Sequence, residues 1–352
     1  MKKNIYAVSV AALLCAFASG CSSQKTGQVS EITEAAEKVL TPESIVFDWQ
    51  EAYESKLTSF SPSADSRFDI RDINGDSSPE LIISPDTQSS TMCEVYTYSD
   101  GAVQKFTDIG SCGTFTYIPA SDMIGYEYEG DGFVIGEYYN VSGDLLESAM
   151  TYYNNAGSAA SGAAITYEVN GETVTLPDYE TSLSEYTSQD CLELGRKYTF
   201  GTDSINYAIH YSESWGAVLT DAQKELYRSK LSELSETYSG LEDYSLGFEL
   251  CDLDGNDFPE LIFSTGVFSE DICRIFVIQD EELTELNDTF GAFGEISFDI
   301  TQKIFFSSDS TGSSKYQSLI STDLGGFNAS ESIMSCGRKY ILSAESINSA
   351  FL

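Results

Sequence analysis

Two acidic loops of one design, 180 residues apart, set the strongest limit on how this chain can fold. The first reads Asp72-Ile73-Asn74-Gly75-Asp76-Ser77-Ser78-Pro79-Glu80-Leu81-Ile82. The second reads Asp252-Leu253-Asp254-Gly255-Asn256-Asp257-Phe258-Pro259-Glu260-Leu261-Ile262. Each puts oxygen-bearing side chains at loop positions 1, 3, 5 and 9, a spacing that can wrap a hard cation such as Ca²⁺. The same Asp and Asn side chains also build metal-free turns by bonding to their own backbone. On either reading, the duplication divides the chain into two related modules.

The repeat reaches well past the loops. Tyr53-Glu54-Ser55-Lys56-Leu57 precedes the first, and Tyr227-Arg228-Ser229-Lys230-Leu231 precedes the second. Both lie in helical patterns. One opens at Thr41-Pro42-Glu43, with Thr as N-cap and Pro in the first turn. The other opens at Thr220 with Gln223 three residues on, a capping-box spacing. Downstream, Cys93 to Tyr98 aligns with Cys273 to Ile278. Gly195-Arg196-Lys197-Tyr198 recurs as Gly337-Arg338-Lys339-Tyr340, each followed by Ser-Ile-Asn.

Between these landmarks lie short runs rich in β-branched and aromatic residues, punctuated by Gly, Asp and Ser: Leu81–Ser84, Tyr117–Ile118, Phe133–Tyr139, Leu261–Ser264, Arg274–Ile278, Ile296–Phe298 and Ile304–Phe306. Asp100-Gly101 and Asn170-Gly171 are two-residue hairpin signals. Ala156 to Ala164 reads as a loop, and Asp178 to Tyr186 as a short helix. The expected fold class is α+β, with two tandem homologous modules, each an N-terminal helix packed on an antiparallel β-meander. The expected boundaries are 1–20 for a signal, 21–40 for a tether and the start of the first helix, 41–210 for the first module and 211–352 for the second. The first module carries an insertion at about 130–190.

The amino terminus carries an address. Lys2 and Lys3 precede an apolar run from Ala7 to Phe17, which is too short to span a bilayer. Ala18-Ser19-Gly20-Cys21 follows. Small residues before Cys resemble the lipobox of bacterial lipoproteins. That resemblance implies cleavage before Cys21, lipidation of its thiol, and a chain held on the outer face of a membrane with the lipid bilayer as partner. An ordinary secretory signal with an incidental Cys is the other reading. Ser22 to Ser30 is polar and reads as a flexible tether.

Charge bears on partners. The chain has 18 Lys and Arg against 56 Asp and Glu, a net of −38. Such a surface repels nucleic acid, whose phosphates need Lys and Arg, and attracts divalent cations. Acidity here does not signal disorder, since 12% of residues are aromatic. Without Cys15 and Cys21, six cysteines remain: Cys93, Cys112, Cys191, Cys251, Cys273 and Cys336. An even number outside the cell suggests disulfides, and Cys93 with Cys112, flanking a hairpin, is the expected pair. His210 is the only histidine, which argues against a zinc site.

The loops are not EF-hands. Gly75 and Gly255 stand at position 4 rather than 6, position 12 is Ile83 or Phe263, and a strand follows instead of a helix. They look like the calcium loops of integrin-type FG-GAP and related bacterial repeats, in uncharacterised surface lipoproteins. That resemblance implies one Ca²⁺ per module. Its ligands would be Asp72, Asn74, Asp76, the Ser78 carbonyl and Glu80, then Asp252, Asp254, Asn256, the Phe258 carbonyl and Glu260. The chain departs from the pattern at position 6, where Gly is replaced by Ser77 and Asp257, and at position 9, where Asp is replaced by Glu. Two copies do not supply the four or more blades of a propeller, so that fold is not carried over.

No nucleophile elbow, Walker loop or dinucleotide fingerprint is present. The sequence therefore suggests a non-enzymatic surface protein that binds an extracellular protein or glycan. Tyr126, Tyr128, Tyr138, Tyr139, Tyr152 and Tyr153 could provide stacking rings, or could fill the core. The alternatives are a secreted carboxylate-dependent hydrolase of glycosidase type and a purely structural envelope protein.

Overall fold

The computed structural model describes residues 48–351 apart from 144, 158–163, 212–214, 239–244, 269, 287–289, 292, 309–313, 322, 323, 325 and 326. Cys21, the signal, the tether and the helix opening at Thr41 lie outside the described residues. What is described belongs to one compact unit, Leu40–Leu352. It is mixed helix and antiparallel sheet, an α+β architecture.

Helix α1 (Asp48–Ser59) turns Trp49, Tyr53 and Leu57 inward at a spacing of four residues, which keeps them on one face. It lies against Ala102–Ile109 and Thr202–Tyr211, and Gln50 Nε2 donates to the Ile209 carbonyl at 2.7 Å. Strands β1 (Arg67–Arg71), β2 (Glu80–Ser84), β3 (Cys93–Ser99) and β4 (Ala102–Ile109) form a meander in the order 1-2-3-4. The β3–β4 turn is Asp100-Gly101, with φ of 52° and 76°, and Ser99 pairs with Ala102. Both φ values are positive, as a type I′ hairpin requires.

The second sheet holds β5 (Phe115–Ile118), β6 (Met123–Gly130), β7 (Phe133–Ser142), β8 (Leu145–Asn154), β9 (Tyr167–Val169) and β10 (Glu172–Val174) in sequence order. Strand β11 (Leu192–Leu194) adds beside β5. Asn170-Gly171 turns β9 into β10. Helix α2 (Leu176–Thr187) starts on a Thr175 cap and buries Tyr179. Two short helices follow, α3 (Thr202–Tyr211) and α4 (Trp215–Val218).

Helix α5 (Asp221–Tyr238) opens on the expected capping box: Thr220 N–H donates to Gln223 Oε1 at 2.9 Å, and Gln223 N–H to Thr220 Oγ1 at 3.3 Å. Tyr227, Leu231 and Leu234 are its buried face. Strands β12 (Gly247–Cys251), β13 (Glu260–Ser264), β14 (Cys273–Gln279) and β15 (Glu282–Glu285) form a sheet. Strands β16 (Ile296–Asp299), β17 (Ile304–Ser308) and β18 (Ser314–Gln317) form another with β19 (Ile333–Cys336). Strand β20 (Tyr340–Ile341) returns to β12, and helix α6 (Ala344–Ala350) closes the chain.

The same pairings recur in both halves. Phe68 pairs with Tyr198, and Phe248 with Tyr340. Strand β11 lies on β5 as β19 lies on β16. The first half carries β8, β9, β10 and α2 between β7 and β11, where the second half passes from β18 to β19. Tyr198 also bridges to Met334, and Ser335 N–H donates to the Lys197 carbonyl at 2.8 Å, which knits the two halves. The largest apolar cluster accordingly runs from Trp49, Tyr53 and Phe68 through Tyr198 and Trp215 to Phe248, Phe298 and Phe351.

Of the six tyrosines considered for stacking, two go inward and four stay half-exposed. Tyr138 and Tyr152 are buried beneath α2 with Tyr179, and Tyr126, Tyr128, Tyr139 and Tyr153 are half-buried.

Candidate metal centres and the cleft beside them

Each acidic loop is the connection of a core hairpin. Arg71 pairs with Glu80 across β1 and β2, and Cys251 with Glu260 across β12 and β13. Antiparallel pairing therefore brings position 9 back beside position 1, which is why residues eight apart can share a site. The helices hold the loops from below. Tyr53 Oη donates to the Pro79 carbonyl at 2.8 Å, and Tyr227 Oη to the Pro259 carbonyl at 2.7 Å.

Inside each loop, side-chain oxygens meet backbone N–H groups. Asp72 accepts from Gly75 at 2.7 Å and from Ser77 at 3.0 Å. Asp252 accepts from Gly255 at 2.6 Å and from Asp257 at 3.3 Å. Asn74 Oδ1 accepts from Asp76 N–H, and Asp254 Oδ1 from Asn256 N–H, both at 3.0 Å. Ser78 and Phe258 donate their N–H groups to Asp76 at 2.7 Å and Asn256 at 2.8 Å. Glu80 Oε2 accepts from Ile73 N–H at 3.0 Å, and Glu260 Oε2 from Leu253 N–H at 2.7 Å. Ser77 and Asp257 sit at φ of 72° and 66°, which explains why position 6 favours Gly in loops of this shape.

The second loop gathers one oxygen each from Asp252, Asp254 and Glu260 within 4.8 Å of one another. Asp252 and Glu260 are buried. In the first loop Asn74 takes the place of the third carboxylate, and its Nδ2 donates to Glu80 Oε1 at 3.0 Å and to Asp76 Oδ2 at 3.3 Å.

Electrostatics sharpen the case for a cation. Burial pushes the Glu80 carboxyl up to about 8, and the charges of Asp72 and Asp76 push the same way. Burial, then Asp254 and Asp252, push Glu260 up to about 9. Carboxylates crowded this way need a proton or a positive ion. The donor set, oxygen only and carboxylate-rich, suits Ca²⁺. In the second loop the charge of Lys303 opposes the upward push of burial on Asp252, so Lys303 would compete with an ion there.

The repeated Gly-Arg-Lys-Tyr segments are structural ties. Gly195 N–H donates to Asp69 at 3.3 Å and Gly337 N–H to Glu249 at 2.9 Å. Arg196 reaches Ser84 Oγ and the Asp65 carbonyl, both at 3.1 Å. Arg338 reaches the Ser245 carbonyl at 2.5 Å and the Gly266 carbonyl at 3.0 Å. Lys197 Nζ lies 2.6 Å from Glu249 Oε1, and both side chains are largely withdrawn from water. Glu193 and Glu295 line the small cavity between these segments, about 90 Å³ in volume. Burial and then the charge of Glu295 raise Glu193 above the usual carboxylate range.

A larger cleft of about 620 Å³ opens next to the first loop. Asp72 and Gly75 form part of its wall, together with Tyr117, Trp215, Tyr340 and residues of the closing segment such as Ser343 and Ala350. Arg71 lies between two rings of this wall, 5.8 Å from the Tyr117 centroid and 5.2 Å from that of Tyr340, and donates to the Lys339 carbonyl at 2.7 Å. Sequence reasoning missed this cleft, because its walls come from segments remote in the chain.

The expected Cys93–Cys112 pair is not formed. Cys93 is buried and its thiol donates to the Gly113 carbonyl at 3.1 Å, whereas Cys112 is exposed at the turn; both are free thiols. Strand ends that flank a hairpin are close in sequence, but here β3 and β4 pair Cys93 with Ile109 and carry Cys112 beyond. His210 falls in the last turn of α3. Among the described residues no helix is long and apolar enough to cross a membrane. No protein-family profile, curated protein or solved structure matches the chain.

Proposed function

We propose that the chain is a lipid-anchored protein of the outer membrane face, built of two homologous modules each pinned by one Ca²⁺, and that it binds an extracellular protein or glycan. The observation that carries the calcium reading is the second loop, where Asp252, Asp254 and Glu260 converge within 4.8 Å while burial, first of all, disfavours the charge of Asp252 and Glu260. The modular reading is supported by loops, helix tethers and Gly-Arg-Lys-Tyr ties that repeat with the same hydrogen bonds. Asp72, Asn74, Asp76, Glu80 and the Ser78 carbonyl hold the first ion, and Asp252, Asp254, Asn256, Glu260 and the Phe258 carbonyl the second. The ions act on stability, since each loop tail runs straight into a core strand.

Recognition falls to the cleft beside the first loop. Its volume of about 620 Å³ is in the range of ligand sites, and its wall mixes Tyr117 and Tyr340 with Arg71, Asp122 and Asp190. The inter-tie cavity that Glu193 and Glu295 share is far smaller at about 90 Å³, which speaks against a hydrolytic carboxylate pair there. Anchoring is assigned to acylated Cys21.

The test is a thermal melt of the chain from Ser22 in EDTA and across a Ca²⁺ titration. At an affinity on the order of 10⁻⁴ to 10⁻³ M, 10 mM Ca²⁺ stabilises by about 1 to 3 kcal/mol per site. Asp252→Ala should remove about half of the rise in midpoint. An unchanged wild-type midpoint would sink the calcium assignment.

A further inference from the structure

Cys251 and Cys336 are the only described cysteines whose sulfurs approach each other. Their Sγ atoms lie 4.0 Å apart, and the residues are 0% and 1% exposed. Cys251 ends β12, one residue before the first ligand of the second loop. Cys336 ends β19, one residue before the second Gly-Arg-Lys-Tyr. The other cysteines have different surroundings. Cys93 and Cys273 occupy equivalent places and donate to the Gly113 and Gly294 carbonyls at 3.1 and 3.2 Å, while Cys112 and Cys191 are exposed. The repeat does not dictate the 251/336 pair, because the matching residues of the first half are Arg71 and Leu194. A small apolar side chain would fill the same space as a thiol, so repeat packing alone does not account for two adjacent cysteines.

We propose that Cys251 and Cys336 are joined by a disulfide in the mature protein, tying the strand that enters the second acidic loop to the strand that enters the second Arg-Lys tie. The inference rests on the proposed placement outside the cytoplasm, where an oxidant of the disulfide class is at hand. The Cys251 thiolate attacks one sulfur of the external disulfide and releases one thiolate. The Cys336 thiolate then attacks the Cys251 sulfur of the mixed disulfide and releases the second. The two protein thiols lose two electrons and two protons, and the external disulfide becomes two thiols. In the folded chain, burial and the adjacent Cys251 sulfur hold the Cys336 thiol well above its ordinary value. Both residues are buried free thiols in the folded structure, so an external disulfide reaches them only while the chain folds, before β19 covers them.

The experiment uses the full mature chain with Cys21→Ser, leaving six thiols. It is purified without reductant, and separately refolded in glutathione disulfide with glutathione, then trapped with N-ethylmaleimide in denaturant. The expected result is four alkylated cysteines and one cross-linked peptide pair containing Cys251 and Cys336, with a melting midpoint that dithiothreitol lowers. In Cys336→Ala, dithiothreitol should leave the midpoint unmoved. Cys251→Ser provides the same comparison should the alanine variant not fold. Six alkylated thiols in both preparations, or a cross-link between other cysteines, overturns the proposal. Export is read separately, from palmitate labelling of the native chain that Cys21→Ser abolishes. A labelled chain without the bond then counts against the pair, and an unlabelled chain with the bond counts against the placement.

Discussion

Asp69 shows how much of this molecule is decided by single buried charges. It sits in β1 with 5% exposure, and accepts from Ile70 N–H at 2.9 Å and Gly195 N–H at 3.3 Å. Burial raises its carboxyl to about 6, against the pull of Lys197. The unfolded chain, with an ordinary value near 3.8, loses this proton first as pH rises. The native state thus binds the extra proton between these values. Asp69 therefore stabilises most below the lower value, and that contribution fades as pH passes about 6. Linkage puts the effect on the order of 3 kcal/mol. Denaturation in urea at pH 4.5 and pH 7.5 should show Asp69→Asn flattening this fall relative to the wild type. An unchanged difference between the two pH values would mean that Asp69 carries no shifted proton.

At the scale of elements, the tether from helix to loop is the recurring device. Tyr53 and Tyr227 are 0% and 1% exposed, and each hydroxyl ends on the carbonyl of the loop proline. Tyr227→Phe keeps the ring and strands the Pro259 carbonyl without that donor. The cost should be about 1 to 3 kcal/mol, read as a lower urea midpoint at constant slope. A midpoint within error of wild type would remove the tether from the account. This device could be anticipated in part, since Tyr53 and Tyr227 head matching Tyr-x-Ser-Lys-Leu stretches before matching loops. The hairpins at Asp100-Gly101 and Asn170-Gly171 were legible for the same reason: their turn chemistry is local. Strand β1 was not. Arg67-Phe68-Asp69-Ile70-Arg71 carries a charge at every second position, as a surface strand does, yet Asp69 faces inward because Gly195, 126 residues away, supplies its partner. Strand β8 escaped notice too, since Leu145 is 63% exposed and masks the alternation that marks a half-buried strand. The cleft could not be read at all, because neither Arg71 nor Tyr340 carries a local signal of the other.

For the whole molecule, the question is whether two repeated halves behave as one. The sequence invites a picture of beads on a string. Packing argues otherwise, since Lys197 belongs to the first Gly-Arg-Lys-Tyr and its partner Glu249 to the strand that enters the second loop. The two tryptophans, Trp49 at 5% and Trp215 at 4% exposure, lie in one apolar cluster with Phe248 and Phe351. Strand β5 links the remaining clusters, with Phe115 and Tyr117 in one and Ile118 in the other. The chain should therefore unfold in a single transition, with tryptophan fluorescence and far-ultraviolet circular dichroism tracing the same curve in urea. Lys197→Met should cost about 3 to 5 kcal/mol of stability, read as a lower midpoint, because it leaves Glu249 buried without its counter-ion. Adding Glu249→Leu should recover much of that loss despite removing a second polar group, since an apolar pair avoids the desolvation that the ion pair overcomes. Two separated transitions in the wild type would mean that the halves fold apart. A double variant no more stable than Lys197→Met would mean that Glu249 matters chiefly for its bond to Gly337 N–H.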